Sequence, residues 1–243
     1  MPPLTASDRL EKRVKERLVK AMATYSLISD DDRILVALSG GKDSMCLLEL
    51  LALRRQIQHP RFELEALHVR MSNIHYESDT SYLTSFASDL GVRLHVRTTG
   101  FDASTDSRRS PCFLCSWYRR KMLFNVAQEL GCNKIALGHH RDDILETTLM
   151  GLFYQGQFGT MPARLQMRKM PLTIIRPLCL ETEADLRAYS ELRGHHPPTK
   201  NCPYEHASHR SDMKQLLSKL EAQNPETRPC MWRALEKAGK LTE

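Results

Sequence analysis

No stretch of this 243-residue chain approaches the apolar length of a membrane span. Its opening segment, MPPLTASDRLEKRVKERL, lacks the apolar core of a secretory leader. A cytoplasmic protein with no membrane partner is therefore expected. Internal repeats and low-complexity linkers are absent too, so the length fits one large domain with helical additions. Strong charge of one sign is also missing: 35 Lys and Arg against 29 Asp and Glu leave a formal +6. That balance suits a polyanionic partner but is modest for a dedicated nucleic-acid binder, and many enzymes are as basic. In a reducing compartment the seven cysteines are expected to be free, metal-bound or catalytic rather than joined in disulfides.

What is present is an alternation of short apolar runs with helical periodicity. Strands are expected at Ile34–Leu38, Leu64–Val69, Leu94–Val96, Lys134–Leu137 and Leu172–Ile175. Helices are expected between them at Asp43–Arg54, Thr80–Leu90, Ser116–Leu130 and Asp142–Phe153, after an amphipathic helix built on Leu10, Val14, Leu18 and Ala21. This order predicts an α/β fold, a Rossmann-like parallel sheet covered by helices on both faces. Past Pro177 the pattern is wholly helical, with candidates at Glu181–Arg193, Ser208–Ala222 and Pro229–Lys237. The expected organisation is an N-terminal helix (1–30), an α/β domain (31–178) and a helical extension (179–243) that has no core of its own and carries Cys202.

Ser39-Gly40-Gly41-Lys42-Asp43-Ser44 joins the first strand to the next helix. Glycines there let backbone N–H groups approach oxyanions, and a helix N-terminus adds partial positive charge. The loop is not a Walker A motif, since its glycines are adjacent and Asp43 follows Lys42; nor is it GxGxxG. The plain alternative is a Gly-rich turn. A second polar loop, Gly138-His139-His140-Arg141-Asp142-Asp143, follows the strand at Lys134–Leu137 and opens another helix. Ligands of parallel sheets bind at the carboxyl ends of strands, so both loops belong at one site. Asp43, Asp142 and Asp143 are the candidate catalytic carboxylates, suited to holding Mg²⁺ on phosphates or taking up a proton. Taken alone, Asp142 or Asp143 is equally an N-cap. The nucleotide set is Leu38, Ser39, Gly40, Gly41, Lys42, Asp43 and Ser44, with His139, and with His68 at the end of the second strand. A third signal is Cys112-Phe113-Leu114-Cys115 at a helix start, with Cys202 far along the chain. Such a set suits a redox pair, zinc (His206 completing Cys₃His) or an iron–sulfur site. Cys46, Cys132, Cys179 and Cys230 are expected to be packing residues, and His195, His196 and His209 surface or RNA-facing ones.

The string SGGKDS resembles the PP-loop of the ATP pyrophosphatase superfamily. In order along the chain, SGGKDS, PCFLC, KIALGHHRDD, MPARL, IIRPL and a Cys in a Pro-rich loop resemble the tRNA 2-thiocytidine synthetase (TtcA) family, from about Ile34 to the C-terminal helices. Some members carry a second Cys near the last one, where this chain has Glu205. The resemblance implies an adenine-nucleotide α-hydrolase-type fold and an ATP-dependent tRNA sulfurtransferase. It further implies a [4Fe–4S] cluster on Cys112, Cys115 and Cys202, a sulfur donor such as a cysteine desulfurase, and a homodimer. It has competitors in lysidine synthesis, uridine thiolation, adenylation of small molecules, and a nucleotide-binding module without chemistry. Basic residues cluster near these motifs: Arg108, Arg109, Arg119, Arg120 and Lys121 by the cysteine pair, and Arg164, Arg168 and Lys169 in the loop after the Asp-Asp helix. Lys214, Lys219, Arg233, Lys237 and Lys240 follow in the tail. Any one of them reads as a solvated face, but as a group they suit tRNA phosphates, with Arg119, Arg120, Arg164 and Arg168 as the leading candidates.

Overall fold

The structure, a computed structural model, describes residues 4–73, 80–101, 110–197 and 210–243. Cys202, Glu205, His206, His209, Arg108 and Arg109 lie outside these. Eight helices and six strands are described, in the order α1 (Ala6–Thr24), β1 (Asp32–Ala37), α2 (Lys42–Arg55), β2 (Phe62–Met71), α3 (Thr80–Asp89), β3 (Arg93–Thr99) and α4 (Pro111–Glu129). There follow β4 (Lys134–Ala136), α5 (Arg141–Gln155), β5 (Arg164–Gln166), β6 (Thr173–Ile175), α6 (Glu183–Leu192), α7 (Arg210–Gln223) and α8 (Thr227–Lys237). No helix among the described residues is long and apolar enough to cross a membrane.

The sheet order is β3-β2-β1-β4-β6-β5, parallel throughout except for the β5–β6 pair. Ile34, Leu35 and Val36 are fully buried because β1 is covered on both faces. Ile34 and Val36 join a cluster with α2 and α3, while Leu35 joins Val126 and Ala127 of α4 on the other face. At the amino ends of the two central strands, the Lys134 ammonium lies 2.7 Å from Asp32 Oδ2 and donates to the Leu27 carbonyl. The chain builds outward from β1 to β3, then crosses back to place β4 on β1's other side. That reversal leaves a crevice beyond the carboxyl ends of β1 and β4, which is where the two polar loops emerge.

The sixth strand, β5, lies in the stretch expected to be a loop, so Arg164 is a strand residue rather than a loop residue. Three residues carry no readable period. Pairing decides the matter, Arg164 lying opposite Ile175 in β6, and the last residues 241–243 hydrogen-bond along β5's outer side. That arrangement covers what would otherwise be a bare sheet edge.

Helix α6 packs on α1 and α2, and α5 on α7 and α8. Met213 and Leu217 of α7, with Trp232 and Leu235 of α8, bury into the same cluster as α1 and α2. Between α1 and α6 a buried carboxyl, Glu181, meets Arg17 at 3.4 Å beside Asp185. Burial raises the Glu181 carboxyl to about 7, with Arg17 countering only part of that. A carboxyl raised in the fold contributes stability that is full below its unfolded value and is lost as pH rises through about 7. Glu181→Gln should therefore gain in melting temperature relative to the parent between about pH 5 and about pH 8. A difference that stays constant across that range, by calorimetry, would show that Glu181 ionises normally.

Candidate nucleotide site and cysteine pair

The loop after β1 is shaped by its small residues. Gly40 has φ +89°, a conformation open to glycine and costly for side chains with a Cβ. Gly41 is the N-cap of α2 and makes no side-chain cap bond, so no side chain caps the first N–H groups of the helix, and that of Ser44 donates to the Gly41 carbonyl at 3.0 Å. Ser39 Oγ donates to Ser44 Oγ at 3.1 Å, and Ser44 Oγ donates to the Gly41 carbonyl at 2.8 Å. These bonds close the loop on itself. Lys42 Nζ lies 3.0 Å from Asp43 Oδ1 and 3.9 Å from Glu183 Oε1, so its charge is already balanced by carboxylates.

Beneath the loop His68 is fully buried, with Nδ1 2.8 Å from the Leu38 carbonyl. A carbonyl only accepts, so Nδ1 donates. Burial, then the charges of Arg119 and Arg70, depress its basicity. His68 thus props the start of the loop from below the surface. His139 sits in the second loop. Burial, then the charge of Arg176, hold its imidazole down to about 4, so at neutral pH it is uncharged. Arg176 Nε donates to His139 Nδ1 at 3.3 Å, which leaves the His139 proton on Nε2. Arg176 also donates to the carbonyl of Pro162. One side chain from IIRPL therefore joins MPARL to the Gly-His loop. The sequence motifs contain this Arg without marking its role; a charged residue within an apolar run is the signal they offer.

The two loops touch. A Cβ on Gly138 would lie 3.1 Å from the Asp43 carbonyl carbon and the Ser44 nitrogen, and 3.2 Å from the Asp43 oxygen. A side chain there would force the α2 N-terminus to give by a few tenths of an ångström, so glycine lets the chain leaving β4 pass this close without displacement.

The paired carboxylates do different work. Asp143 Oδ2 accepts from the His140 N–H at 3.1 Å, and His140 Nδ1 accepts from the Asp143 N–H, a capping box that starts α5. Asp142 is buried, with Oδ1 2.5 Å from Arg228 of α8 and Oδ2 accepting the Glu183 N–H at 2.7 Å. It ties α5 to α6 and α8, and both its oxygens are engaged. One turn on, Glu146 is buried, and burial followed by the Asp143 charge raises its carboxyl to about 7. Nothing in the sequence alone marked it. From α7, Lys214 lies 2.5 Å from Glu183, and Arg210 lies 3.5 Å from Asp143.

Cys112 and Cys115 stand near the start of α4, after the N-cap Ser110 and with Pro111 in its favoured first position. Cys112 is exposed and Cys115 half-buried. Cys115 and Tyr118 pack on Met71, Phe101 and Leu114, which places the pair at the carboxyl ends of β2 and β3, on the edge that carries both loops. Among the described residues no three His, Cys, Asp or Glu converge as a metal site, and Cys202 lies outside them. Two free thiols about one turn apart near an exposed helix start have the spacing of half such a site. Burial, then the charge of Arg120, lowers Arg176 to about 10. Arg168 lies in the turn between β5 and β6. Cys46, Cys132 and Cys179 are buried as expected, but Cys230 is exposed and accepts from Arg233. His195, expected at the surface, is buried with Nε2 3.1 Å from Glu49 Oε2, because α6 brings it over α2.

Gly138→Ala should weaken ATP binding about tenfold or more by displacing the loop from its strand ends. Calorimetric titration with ATP checks this; unaltered affinity would mean that the close approach does not set the loop's geometry.

A profile of the PP-loop domain family matches residues 8–196. A tRNA-cytidine(32) 2-sulfurtransferase of Bordetella avium (strain 197N) is 40% identical over 190 residues, which cover 76% of this chain and 60% of that relative. One of Vibrio cholerae (serotype O1, strain M66-2) is 34% identical over 94% of this chain and 75% of its own length. Another, of Francisella tularensis subsp. novicida (strain U112), is 34% identical over 93% of this chain and 86% of its own length. Among solved structures, the U34-tRNA thiolase NcsA of Methanococcus maripaludis, with its [4Fe–4S] cluster, superposes with a TM-score of 0.80. At 22% identity, covering 96% of this chain and 79% of that one, it shares the fold. The touching glycine loops and the relatives over nearly the whole chain agree: this protein belongs to the PP-loop domain family and, within it, to the tRNA-cytidine(32) 2-sulfurtransferase family.

Proposed function

We propose that this protein uses ATP to replace the 2-oxo group of a cytidine in the tRNA anticodon loop by sulfur. The observation that carries the proposal is the contact of the two polar loops at the strand ends, where Gly138 meets the backbone of Asp43 and Ser44. The α4 cysteines stand on the same edge. A carbonyl oxygen leaves a ring only after activation. The base oxygen attacks the α-phosphorus of ATP, the bond to pyrophosphate breaks, and the adenylated carbon becomes open to a sulfur nucleophile that expels AMP.

Residues of this chain serve the first part of that sequence. The N–H groups of Ser39–Ser44, with Lys42, would cradle the phosphates and offset the charge of the departing pyrophosphate. His139, neutral with its proton on Nε2, would donate to a phosphate oxygen. Asp43 and Asp143 are the carboxylates that would hold Mg²⁺, while Asp142 positions α5 through Arg228 and Glu183. Leu38 and His68, joined by the 2.8 Å contact of Nδ1 with the Leu38 carbonyl, would form the floor of the site. Cys112, Cys115 and Cys202 would hold a [4Fe–4S] cluster, which when bound supplies a place for the sulfur species delivered by a donor such as a cysteine desulfurase. Arg119, Arg120, Arg164 and Arg168 would meet tRNA phosphates, so affinity falls as salt rises.

Asp43→Asn should abolish tRNA-dependent AMP formation with the melting temperature nearly unchanged, and full turnover by that variant would remove Asp43 from the mechanism. Cys112→Ala and Cys202→Ala should each lose iron and thiolation yet bind ATP normally; stoichiometric zinc without iron after anaerobic reconstitution would replace the cluster by a zinc site. Cells lacking the gene should lose 2-thiocytidine from tRNA and keep their thiouridines, as nucleoside mass spectrometry can read. Persistent 2-thiocytidine would assign a different base.

A further inference from the structure

Helix α4 carries more than the cysteine pair. Its inner side, Leu114 with the half-buried Cys115 and Tyr118, packs on the ends of β2 and β3. Its outer side brings Phe113 and Trp117, four residues apart, to the surface, each 45% exposed. Two large aromatics on consecutive turns thus each offer part of a ring to solvent. Lys121, one turn further, stands 5.3 Å from the Trp117 ring centre, and Tyr118 meets Trp117 edge-on at 4.9 Å between centroids. Arg120 is exposed and, about two helical turns beyond Phe113, lies on the same side of α4. The face is thus an aromatic stripe bordered by cations, and it begins beside an exposed proposed cluster ligand.

Resting on the tRNA reading above, we infer that Phe113 and Trp117 form a stacking platform for unpaired bases of an RNA loop, with Arg120 and Lys121 holding the phosphates between them. The chemistry favours RNA over a protein partner. Every base offers a π-face to an aromatic ring, and each step of the strand brings a phosphate within reach of a neighbouring cation. A paired stem hides its base faces, so the platform selects single-stranded loops. It would hold the bases flanking the target while the target itself turns toward the strand ends. Trp117 and Phe113 are therefore positioning residues, which touch neither ATP nor the reacting carbon.

The test uses the full-length protein and two RNA probes of equal charge, a hairpin with an open single-stranded loop and a blunt duplex. Of the two tryptophans, Trp232 is 8% exposed, so quenching on stacking reports Trp117. The hairpin should quench the parent's fluorescence and the duplex should not. Trp117→Ala should weaken hairpin binding by about five- to hundredfold, the range of one lost base stack. Trp117→Phe should restore most of that affinity without restoring the quench. Pyrophosphate release with the anticodon hairpin as substrate should show a raised KM for Trp117→Ala at nearly unchanged kcat. Equal hairpin affinity for the parent and the Phe113→Ala/Trp117→Ala variant would overturn the inference while leaving the tRNA reading intact. So would a change confined to self-association in sedimentation, which would assign the face to a second copy. A parent that binds neither RNA would instead overturn the tRNA reading itself.

Discussion

Everything at the candidate site depends on one close approach, the backbone of Gly138 against that of Asp43 and Ser44. It is possible because β1 and β4 are hydrogen-bonded neighbours and because no Cβ intervenes. The approach brings two separate strand-to-helix turns into contact. The start of α2 and the histidine loop ahead of α5 are thereby neighbours. Were the loops a few ångströms apart, each would be an ordinary helix start.

Polar ties of unequal rank hold that geometry. Arg176 is the most economical of them, since it meets His139 and the Pro162 carbonyl from a single buried position. Burying a guanidinium without partners is costly, so its bonds are obligatory and the three segments they join are locked together. The buried Asp142 does the same between α5, α6 and α8. Lys214 reaches Glu183, and through it the neighbourhood of Lys42. The C-terminal helices are in this way part of the site's electrostatics as well as of its packing. Lys42 rests between Asp43 and Glu183, and arriving phosphates would compete with those carboxylates for its charge.

Helix α4 organises the other half of the edge. Its N-terminus presents the two cysteines, its inner face packs on the strand ends, and Arg119 and Arg120 send charge toward His68 and Arg176. One helix thus relates the thiol pair to the nucleotide loop by rigid geometry.

The sequence by itself determined the elements whose cause is local. The apolar run Ile34–Leu38 followed by adjacent glycines specifies a buried strand and a loop that approaches anions. The helical periods specify the helices on either side, and Cys112 and Cys115 announce themselves by spacing. The order of the motifs was enough to indicate the family. Tertiary structure alone decided what depends on distant partners. It set Asp142 and Asp143 apart, because only packing brings Arg228, 86 residues away in sequence, to one of them. It buried His195 against Glu49 from 146 residues away, and raised Glu146 and Glu181 through burial that no local pattern records. It made a strand of Arg164–Gln166, whose three residues have no period and gain one only from register with β6. A periodicity reports which side of an element is apolar; which polar groups meet there depends on desolvation and on partners supplied by the rest of the chain.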